Sequence, residues 1–204
     1  MKKIIMFLFG GLLCSQAFAS GYNRLYAGPS VMRLTHFDYD QDLYLGGHLG
    51  YQRGINLTKD RIPLFLQLGA EAVYQTAEYS SDVPVFDLIF IDGRYHFMSV
   101  SIPVNVSYRL GKENFSVEPF LGMNFRGNII GKLKYEDGSE RDFFDSEDAN
   151  RFQFGLNVGV GFNINKFYVG YKFTPDLTLY ESDFQFVYSD SKSSYHHISL
   201  GFNF

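Results

Sequence analysis

The chain has 204 residues, of which 18% are aromatic and 20% are charged, and its formal net charge is -4 at pH 7. Its length is that of one domain of ordinary size. It has no basic run or stripe, which argues against a nucleic-acid partner. The mean hydropathy of -0.12 by itself suggests a soluble protein, but a membrane barrel averages an apolar face against a polar one and gives the same value.

The first 19 residues carry the pattern of a secretory signal peptide. Lys2 and Lys3 precede an apolar stretch over 4–13, and Ala17-Phe18-Ala19 has the small-x-small pattern of a cleavage site. The apolar stretch is well short of the roughly 20 residues that a transmembrane helix needs. We therefore predict a signal peptide over 1–19 and an exported domain over 20–204.

Cys14 is the only cysteine, and it lies inside the predicted signal peptide. A lipoprotein with an acylated Cys14 is a second interpretation, which the bulky Leu13 immediately before it disfavours. An exported chain without cysteine must owe its stability to something other than disulfides.

After the signal peptide, apolar residues recur at every second position, and no window shows a convincing helical period, so the chain is predicted to be all strand. Eight strands are predicted in chain order, at roughly 22–36, 44–55, 63–76, 96–108, 115–131, 152–164, 167–174 and 197–204. The facing of the first strand is the least defined, because Pro29 and several small residues interrupt its alternation.

The strand predicted over 152–164 shows the pattern most clearly, since large apolar residues alternate with Gln, Gly and Asn. A sheet in lipid must close on itself, because an open edge leaves backbone groups without partners at several kcal/mol each. A ring of eight strands has an interior just wide enough for side chains to fill, so small and polar residues face inward. The predicted fold is an all-β, eight-stranded antiparallel up-and-down transmembrane β-barrel.

The connections between the predicted strands are alternately long and short. Residues 56–62, 109–114 and 163–166 form short polar connections, whereas 36–42, 79–93, 132–150 and 175–194 are longer. Outer-membrane barrels have brief periplasmic turns on one rim and long external loops on the other. This order predicts that both ends of the mature chain are periplasmic.

A soluble barrel such as a lipocalin is the alternative fold, with the same period but with its apolar face inward. A soluble exterior would be rich in Lys and Glu, whereas the polar faces here hold Gly, Ser, Asn and Gln with isolated charges. Aromatic residues near strand ends also favour the membrane barrel, because interfacial girdles lie there. These residues are Tyr51, Tyr74, Tyr108, Phe115, Phe167, Tyr171 and Phe173.

The chain ends in Phe204, with Ile198, Leu200 and Phe202 at alternate positions before it. This ending resembles the signal by which the barrel-assembly machinery of the outer membrane recognises its substrates, although Ser199 stands where glycine is common. The whole mature chain resembles small outer-membrane β-barrel proteins of the porin-family or PorT-like kind. The resemblance implies a Gram-negative outer membrane, with lipid and lipopolysaccharide around the barrel. It implies no single activity, because this fold hosts adhesins, anchors, secretion accessories and a few lipid-modifying enzymes.

His197 and Ser199 are the one catalytic-looking pair, since residues two apart on a strand project to the same side and an imidazole can activate a hydroxyl. The pair is similar to the His-x-Ser pair of outer-membrane lipid A deacylases. Those enzymes use a further acidic partner downstream, where this chain ends, and parity turns both residues toward the lumen. We expect no enzymatic activity and no catalytic residue. The alternatives are a lipid-modifying hydrolase and a narrow porin-like channel.

Four charged residues, Glu71, Glu118, Arg126 and Lys172, have the inward parity of their strands. The third and seventh strands lie across an eight-stranded ring from each other, so Glu71 and Lys172 are expected to meet, with Arg126 joining them. Eight strands leave little free bore, and an unpaired buried charge is costly. A lumen filled by paired charges is therefore favoured over an ion path.

The long loops hold the remaining candidates. The loop over 132–150 contains seven acidic residues, whose spacing matches no defined cation loop, so solvation is favoured over a metal site. Segments 83–91 and 177–188 are apolar and strand-like, and they either prolong their hairpins or form a protein-binding patch. The patch residues are Phe86, Ile89, Phe90, Phe184 and Phe186. No cofactor is expected.

Overall fold

The computed structural model describes residues 21–35, 42–58, 62–80, 92–112, 114–135, 137–142, 144, 150–178 and 192–204. Long strands make up most of this part of the chain. They are β1 (Gly21–Thr35), β2 (Asp42–Asn56), β3 (Leu64–Ser80), β4 (Asp92–Tyr108), β6 (Phe115–Tyr135), β8 (Phe152–Ile164), β9 (Phe167–Pro175) and β10 (Lys192–Asn203). Two short strands, β5 (Leu110–Lys112) and β7 (Glu140–Asp142), pair with β6.

The eight long strands form a closed ring. Each pairs antiparallel with its neighbours in chain order, and β1 closes the ring against β10, with Arg24 opposite Asn203. In the part of the chain that the structure describes, no helix is long and apolar enough to cross a membrane. The prediction of an eight-stranded antiparallel up-and-down barrel is confirmed.

Side chains alternate between the two faces of the wall as the sequence predicts. Outward residues such as Leu49, Leu121 and Leu200 are 57–64% exposed, whereas inward residues such as Gln67 and Asn157 are almost completely buried. A soluble barrel would place these two classes the other way round. The alternation also settles β1, where Tyr22, Arg24 and Tyr26 face the lumen.

The two ends of the barrel differ in their connections. The terminal end carries Gly21, Phe204 and the short turns, including the β8–β9 turn, where Asn165 adopts a positive φ of 54°. Asparagine tolerates this left-handed conformation better than most residues. We call the opposite end, which carries the long connections, the distal end.

Outward aromatic residues mark a band of membrane height. Tyr108 pairs with Leu64 at the terminal end of β3, and the exposed Tyr74 lies ten residues further along that strand. Ten residues rise about 33 Å along a strand, or about 25 Å along the axis of a barrel with strands tilted by about 40°. This equals the height of the apolar band of outer-membrane barrels.

The glycines of the inward face make room for aromatic rings. A Cβ atom on Gly161 would lie 2.3 Å from the ring of Tyr168, and one on Gly50 would lie 2.4 Å from the ring of Tyr26. These rings lie across the lumen and fill its middle. Several inward glycines, including Gly161 and Gly50, therefore leave room for an aromatic ring, which is the relief of crowding that the sequence predicted.

The distal end of the lumen is apolar, which differs from the prediction that small and polar residues line the interior throughout. Side chains from six of the long strands pack there against Phe144, which follows β7. The cluster comprises Met32, Leu34, Tyr44, Val73, Tyr95, Leu133, Phe144 and Tyr195. The strands β3, β4 and β6 continue beyond their predicted ends, and a wall that extends beyond the membrane into water can hold an ordinary hydrophobic core.

Candidate functional site

Among the described residues, three charged centres lie in the lumen, and the first, at the terminal end, is built around Glu118. This carboxylate is completely buried, and Arg24 and Arg109 lie 2.8 and 3.1 Å from its Oε2 atom. Its two oxygens accept hydrogen bonds from Tyr22, Ser107, Gln67, Asn163, Arg24 and Arg109. So many donors offset the cost of removing the charge from water.

Arg24 is held from several sides. Its guanidinium lies 3.6 Å from the ring centre of Tyr168 and donates to Gln52 and Asn203 as well as to Glu118. The planar guanidinium group suits such a combination of stacking and directed hydrogen bonds. The centre therefore connects β1, β2, β6, β9 and β10 through one cation.

The second centre lies in the middle of the lumen and joins Glu71 of β3 to Lys172 of β9. The Lys172 Nζ atom lies 2.8 Å from both carboxylate oxygens. Tyr26 donates to Oε2 over 2.9 Å, and His197 Nε2 lies 3.9 Å from Oε1. The two strands lie across the ring from each other, as expected from the sequence.

Arg126 lies nearer the distal end than was expected and forms the third centre. Its Nη1 atom is 2.7 Å from Oδ2 of Asp176, which also accepts a hydrogen bond from the Ser193 hydroxyl. The guanidinium lies 3.5 Å from the ring centre of Tyr195. Arg126 therefore pairs with Asp176, a residue that the sequence analysis assigned to a loop.

The His197 and Ser199 pair lies wholly inside the lumen. Ser199 Oγ is 2.9 Å from His48 Nε2, and the rings of His48 and His197 are 4.7 Å apart. His197 is 1% exposed and Ser199 is 5% exposed. The hydroxyl therefore has an imidazole beside it, but that imidazole belongs to His48, and both groups are closed off from the lipid face.

Little free volume remains between the centres. Asn157 donates to Asn105 over 2.9 Å and accepts from Thr174 over 2.8 Å. A cavity lined by Tyr26, Lys172, Ser199 and neighbouring residues has a volume of about 20 Å³, which is the space that one water molecule needs. Among the described residues, no three His, Cys, Asp or Glu side chains are grouped as metal ligands would be.

The four residues of the predicted C-terminal signal lie on the outer face of β10 or directly after it. Ile198, Leu200, Phe202 and Phe204 are all exposed toward the membrane. The backbone of Phe204 exchanges hydrogen bonds of 3.0 and 2.9 Å with Asn23 of β1. The end of the chain is thus part of the seam that closes the ring. The loop patch residues Phe86, Ile89, Phe90, Phe184 and Phe186 lie outside the described residues.

Sequence reasoning missed Arg24, Arg109, His48 and Asp176. The blurred alternation of β1 concealed the inward facing of Arg24, and the glycines around His48 weakened the pattern of β2. Arg109 and Asp176 stand just beyond predicted strand ends. The only signal available for these four residues was that a buried glutamate or arginine needs a polar or charged partner.

The comparison with protein families decides the class of the chain. Residues 5–204 match the model of the outer membrane protein beta-barrel domain. The chain belongs to this family. It is therefore an integral outer-membrane protein of a Gram-negative bacterium, as the C-terminal pattern and the alternating connections predicted, while the narrower PorT-like resemblance stays a prediction. No curated protein matches it.

Solved structures agree on the fold of this outer-membrane barrel. Ail, the attachment invasion locus protein of Yersinia pestis, was solved with the heparin analogue sucrose octasulfate. It is 17% identical, with a TM-score of 0.51 over 90% of this chain and 99% of Ail. Neisserial surface protein A is 13% identical, with a TM-score of 0.51 over 89% of this chain and 97% of that one. Identities this low show a shared fold alone.

Proposed function

We propose that this outer-membrane protein is a non-enzymatic scaffold that holds its distal segments at the cell surface for interaction with a partner. The filled lumen is the observation that carries the proposal. Three buried charged centres and an apolar cluster follow one another along the axis. A solute crossing the barrel would have to break each of them, so the work of the molecule falls to the surfaces outside the barrel.

The distal end faces the cell exterior in this proposal, and both chain ends are periplasmic. Brief turns at the terminal end and long connections at the distal end support this orientation, because outer-membrane barrels have short periplasmic turns and longer extracellular loops. The barrel-assembly machinery would then meet the outward residues of β10 from the periplasmic side. Lipopolysaccharide would surround the distal half.

The charge of the distal segments indicates which partners fit. The segment 132–150 has seven acidic residues against three basic ones. Ail was solved with a sulfated sugar, whereas the acidic segment of this chain disfavours a sulfated polysaccharide as its partner. We propose a protein partner that contacts the aromatic patch of 83–91 and 177–188, with basic groups beside its apolar surface.

A hydrolase is less well supported. The Ser199 hydroxyl and the His48 ring lie together inside the lumen, and the cavity beside Ser199 has a volume of only about 20 Å³. A lipid ester has no path to them through a closed wall of paired strands. The contact between Ser199 and His48 therefore serves packing in this proposal.

Planar-bilayer recording tests the filled lumen. We expect the purified protein to give no stepwise conductance, because the three charged centres and the apolar cluster fill the lumen along its axis. Regular openings from the folded form would contradict the scaffold proposal and favour the porin-like alternative.

Partner capture tests the distal surface. Crosslinking on intact cells should recover a surface partner with the wild-type chain and lose it when Phe184 and Phe186 are both replaced by serine. The matched control replaces Ser182 and Ser189 of the same connection, 175–194, by alanine, which leaves the aromatic residues in place. Heat-modifiable gel mobility shows that each variant is folded. Unchanged capture by the Phe184→Ser, Phe186→Ser variant would remove the patch from the proposal.

A further inference from the structure

A groove opens on the outer face of the barrel where the pairing between β6 and β8 ends. The last pair of that ladder joins Gly127 to Phe152, and β6 shifts its register against β4 between Met98 and Ser99. Beyond this point β6 continues to Tyr135, whereas β8 begins only at Phe152. The resulting groove has a volume of about 870 Å³, within the range of small-molecule sites.

The lining of the groove is mainly apolar, although it also includes Arg126, Asn128 and Gln153. Six outward side chains from β4, β6 and β8 form its apolar walls, namely Val100, Ile102, Phe125, Ile129, Phe152 and Phe154. The rings of Phe125 and Phe154 are 5.3 Å apart. These walls suit a hydrocarbon chain and have the character of the lipid-facing surface around them.

Gly127 makes this part of the surface concave. A Cβ atom at Gly127 would meet nothing closer than 3.8 Å, where it would touch the Phe152 ring. Most inward glycines have a ring or a carbonyl group at that place, whereas Gly127 leaves a bare floor between two rows of apolar side chains. A single acyl chain can therefore lie in the groove and touch it on more than one side.

Three polar residues stand at the distal mouth of the groove, and each presents hydrogen-bond donors. The Asn150 Oδ1 atom accepts from the backbone N–H of Phe152, and the Thr178 Oγ1 atom accepts from that of Phe154. Because these oxygens already accept hydrogen bonds, Asn150 and Thr178 can offer a ligand only donors, namely the amide N–H groups of Asn150 and the hydroxyl hydrogen of Thr178. The guanidinium of Arg151 supplies donors only.

Arg151 is exposed but held in place. Its Nη2 atom donates to the Phe144 carbonyl over 3.0 Å, and its guanidinium lies 5.0 Å from the Phe144 ring centre. Among the described residues, no carboxylate lies within 4.0 Å of it. A cation fixed in this way suits a phosphate group, which a guanidinium binds through two parallel hydrogen bonds.

From these observations we infer that the groove binds lipid A, with one acyl chain over Gly127 and a sugar phosphate on Arg151. An apolar floor, a fixed cation and neighbouring amide and hydroxyl donors together fit an acylated, phosphorylated sugar. The choice of lipid A over a glycerophospholipid rests on the orientation proposed above, which places the distal mouth in the outer leaflet. The groove thus adds a lipid site to a barrel whose other proposed contact is with a protein.

Native mass spectrometry of the folded protein with added lipid A tests the inference. We expect one lipid A to stay bound to the wild-type barrel. The Gly127→Val variant should retain about tenfold less, the effect of excluding roughly two methylene groups from contact. The matched control is Gly47→Val, another outward glycine, whose Cβ would meet only the Gly28 carbonyl oxygen at 3.4 Å. It should bind as the wild type does.

A second variant tests the cation without touching the wall of the barrel. Arg151→Gln should lower retention of lipid A about tenfold through loss of a charge-assisted contact, and it should not change retention of dephosphorylated lipid A. Unchanged binding of lipid A by Gly127→Val or by Arg151→Gln would overturn the inference. Equal loss in Gly47→Val, or equal retention of phosphatidylglycerol by the wild type, would overturn it as well.

The lipid site and the proposed function can fail separately. None of the residues replaced in the lipid experiment belongs to the aromatic patch used for partner capture. Intact capture without lipid A binding would overturn the lipid site alone. Lost capture with lipid A still bound would remove only the protein-interaction proposal.

Discussion

Glu118 shows how a single residue can hold a lumen together. Its carboxylate is bonded by side chains from β1, β3, β4 and β8, and by Arg109 between β4 and β5. A buried ion pair is not stabilising in itself, because desolvation opposes the Coulombic gain. Removing one partner is costly, however, because the other charge stays buried.

We predict that Glu118→Gln destabilises the folded barrel by about 3–5 kcal/mol, since Arg24 would remain buried without a carboxylate. Urea unfolding followed by gel mobility measures the change. The control is Glu78→Gln, which removes an exposed pair with Arg94 and should cost less than about 1 kcal/mol. Equal unfolding midpoints for the two variants would contradict this account of the terminal centre.

Charged residues were predictable from sequence only where alternation was regular. Glu71 stands in a clearly alternating strand and Lys172 in a weaker one on the opposite side of an eight-membered ring, and parity and strand count are enough to bring them together. Arg126 was assigned the correct face but the wrong partner. The height of a residue in a barrel depends on the stagger between strands, and parity carries no information about stagger.

The two faces of strand β8 have different packing requirements. Its outward face presents large apolar residues to the membrane, while its inward face must admit rings from other strands. A Cβ atom on Gly159 would lie 2.3 Å from the Phe120 ring, and one on Gly161 would lie 2.3 Å from the Tyr168 ring. Glycine at these positions is therefore required by close approach and not by backbone conformation.

We predict that Gly161→Val destabilises the barrel by about 1–3 kcal/mol, or prevents folding, because the Tyr168 ring and the strands around it would have to shift. The yield of the heat-modifiable form after refolding, and its unfolding midpoint in urea, measure the effect. Gly127→Ala is the control, because its Cβ has room. A Gly161→Val variant as stable as Gly127→Ala would contradict this account, because it would show that the Tyr168 ring and its neighbours can rearrange at little cost.

Strand bounds were predicted well in the membrane and poorly beyond it. β8 was predicted at its observed limits, whereas β3, β4 and β6 continue for several residues past theirs. Period-two alternation with one lipid face ends at the edge of the bilayer. Beyond that edge both faces change character, and inward Tyr95 and Leu133 join an apolar cluster that the membrane pattern does not predict.

At the scale of the whole molecule, the fold could be predicted because closure, alternation and loop order all depend on the sequence pattern. The lumen charges were partly predictable, since each needs a partner. The lipid groove was not, because it arises from an unequal length of neighbouring strands and from one glycine that faces outward. The distal contacts of Phe144 likewise depend on a chain segment without periodic pattern.

Removal of the predicted signal peptide would change the mass and the thiol content of the chain, and both can be measured. We predict that cleavage after Ala19 removes Cys14, so the mature protein begins at Ser20 and contains no thiol. Intact-mass measurement of the outer-membrane form should give residues 20–204, and a maleimide should label only the precursor. A mature form that begins at Cys14, carries the extra mass of a lipid and is not labelled by the maleimide would favour the lipoprotein interpretation instead.

The seam between Asn23 and Phe204 places the start of β1 and the residue directly after β10 within hydrogen-bond distance of each other. A short peptide linker could join them without disturbing the wall, and the chain could then be opened at the tight turn around Asn165. Such a circular permutant would keep every strand pairing, but β10 would no longer be the last strand of the sequence. It would show separately what the stability of the closed barrel requires and what recognition of the last residues by the assembly machinery requires.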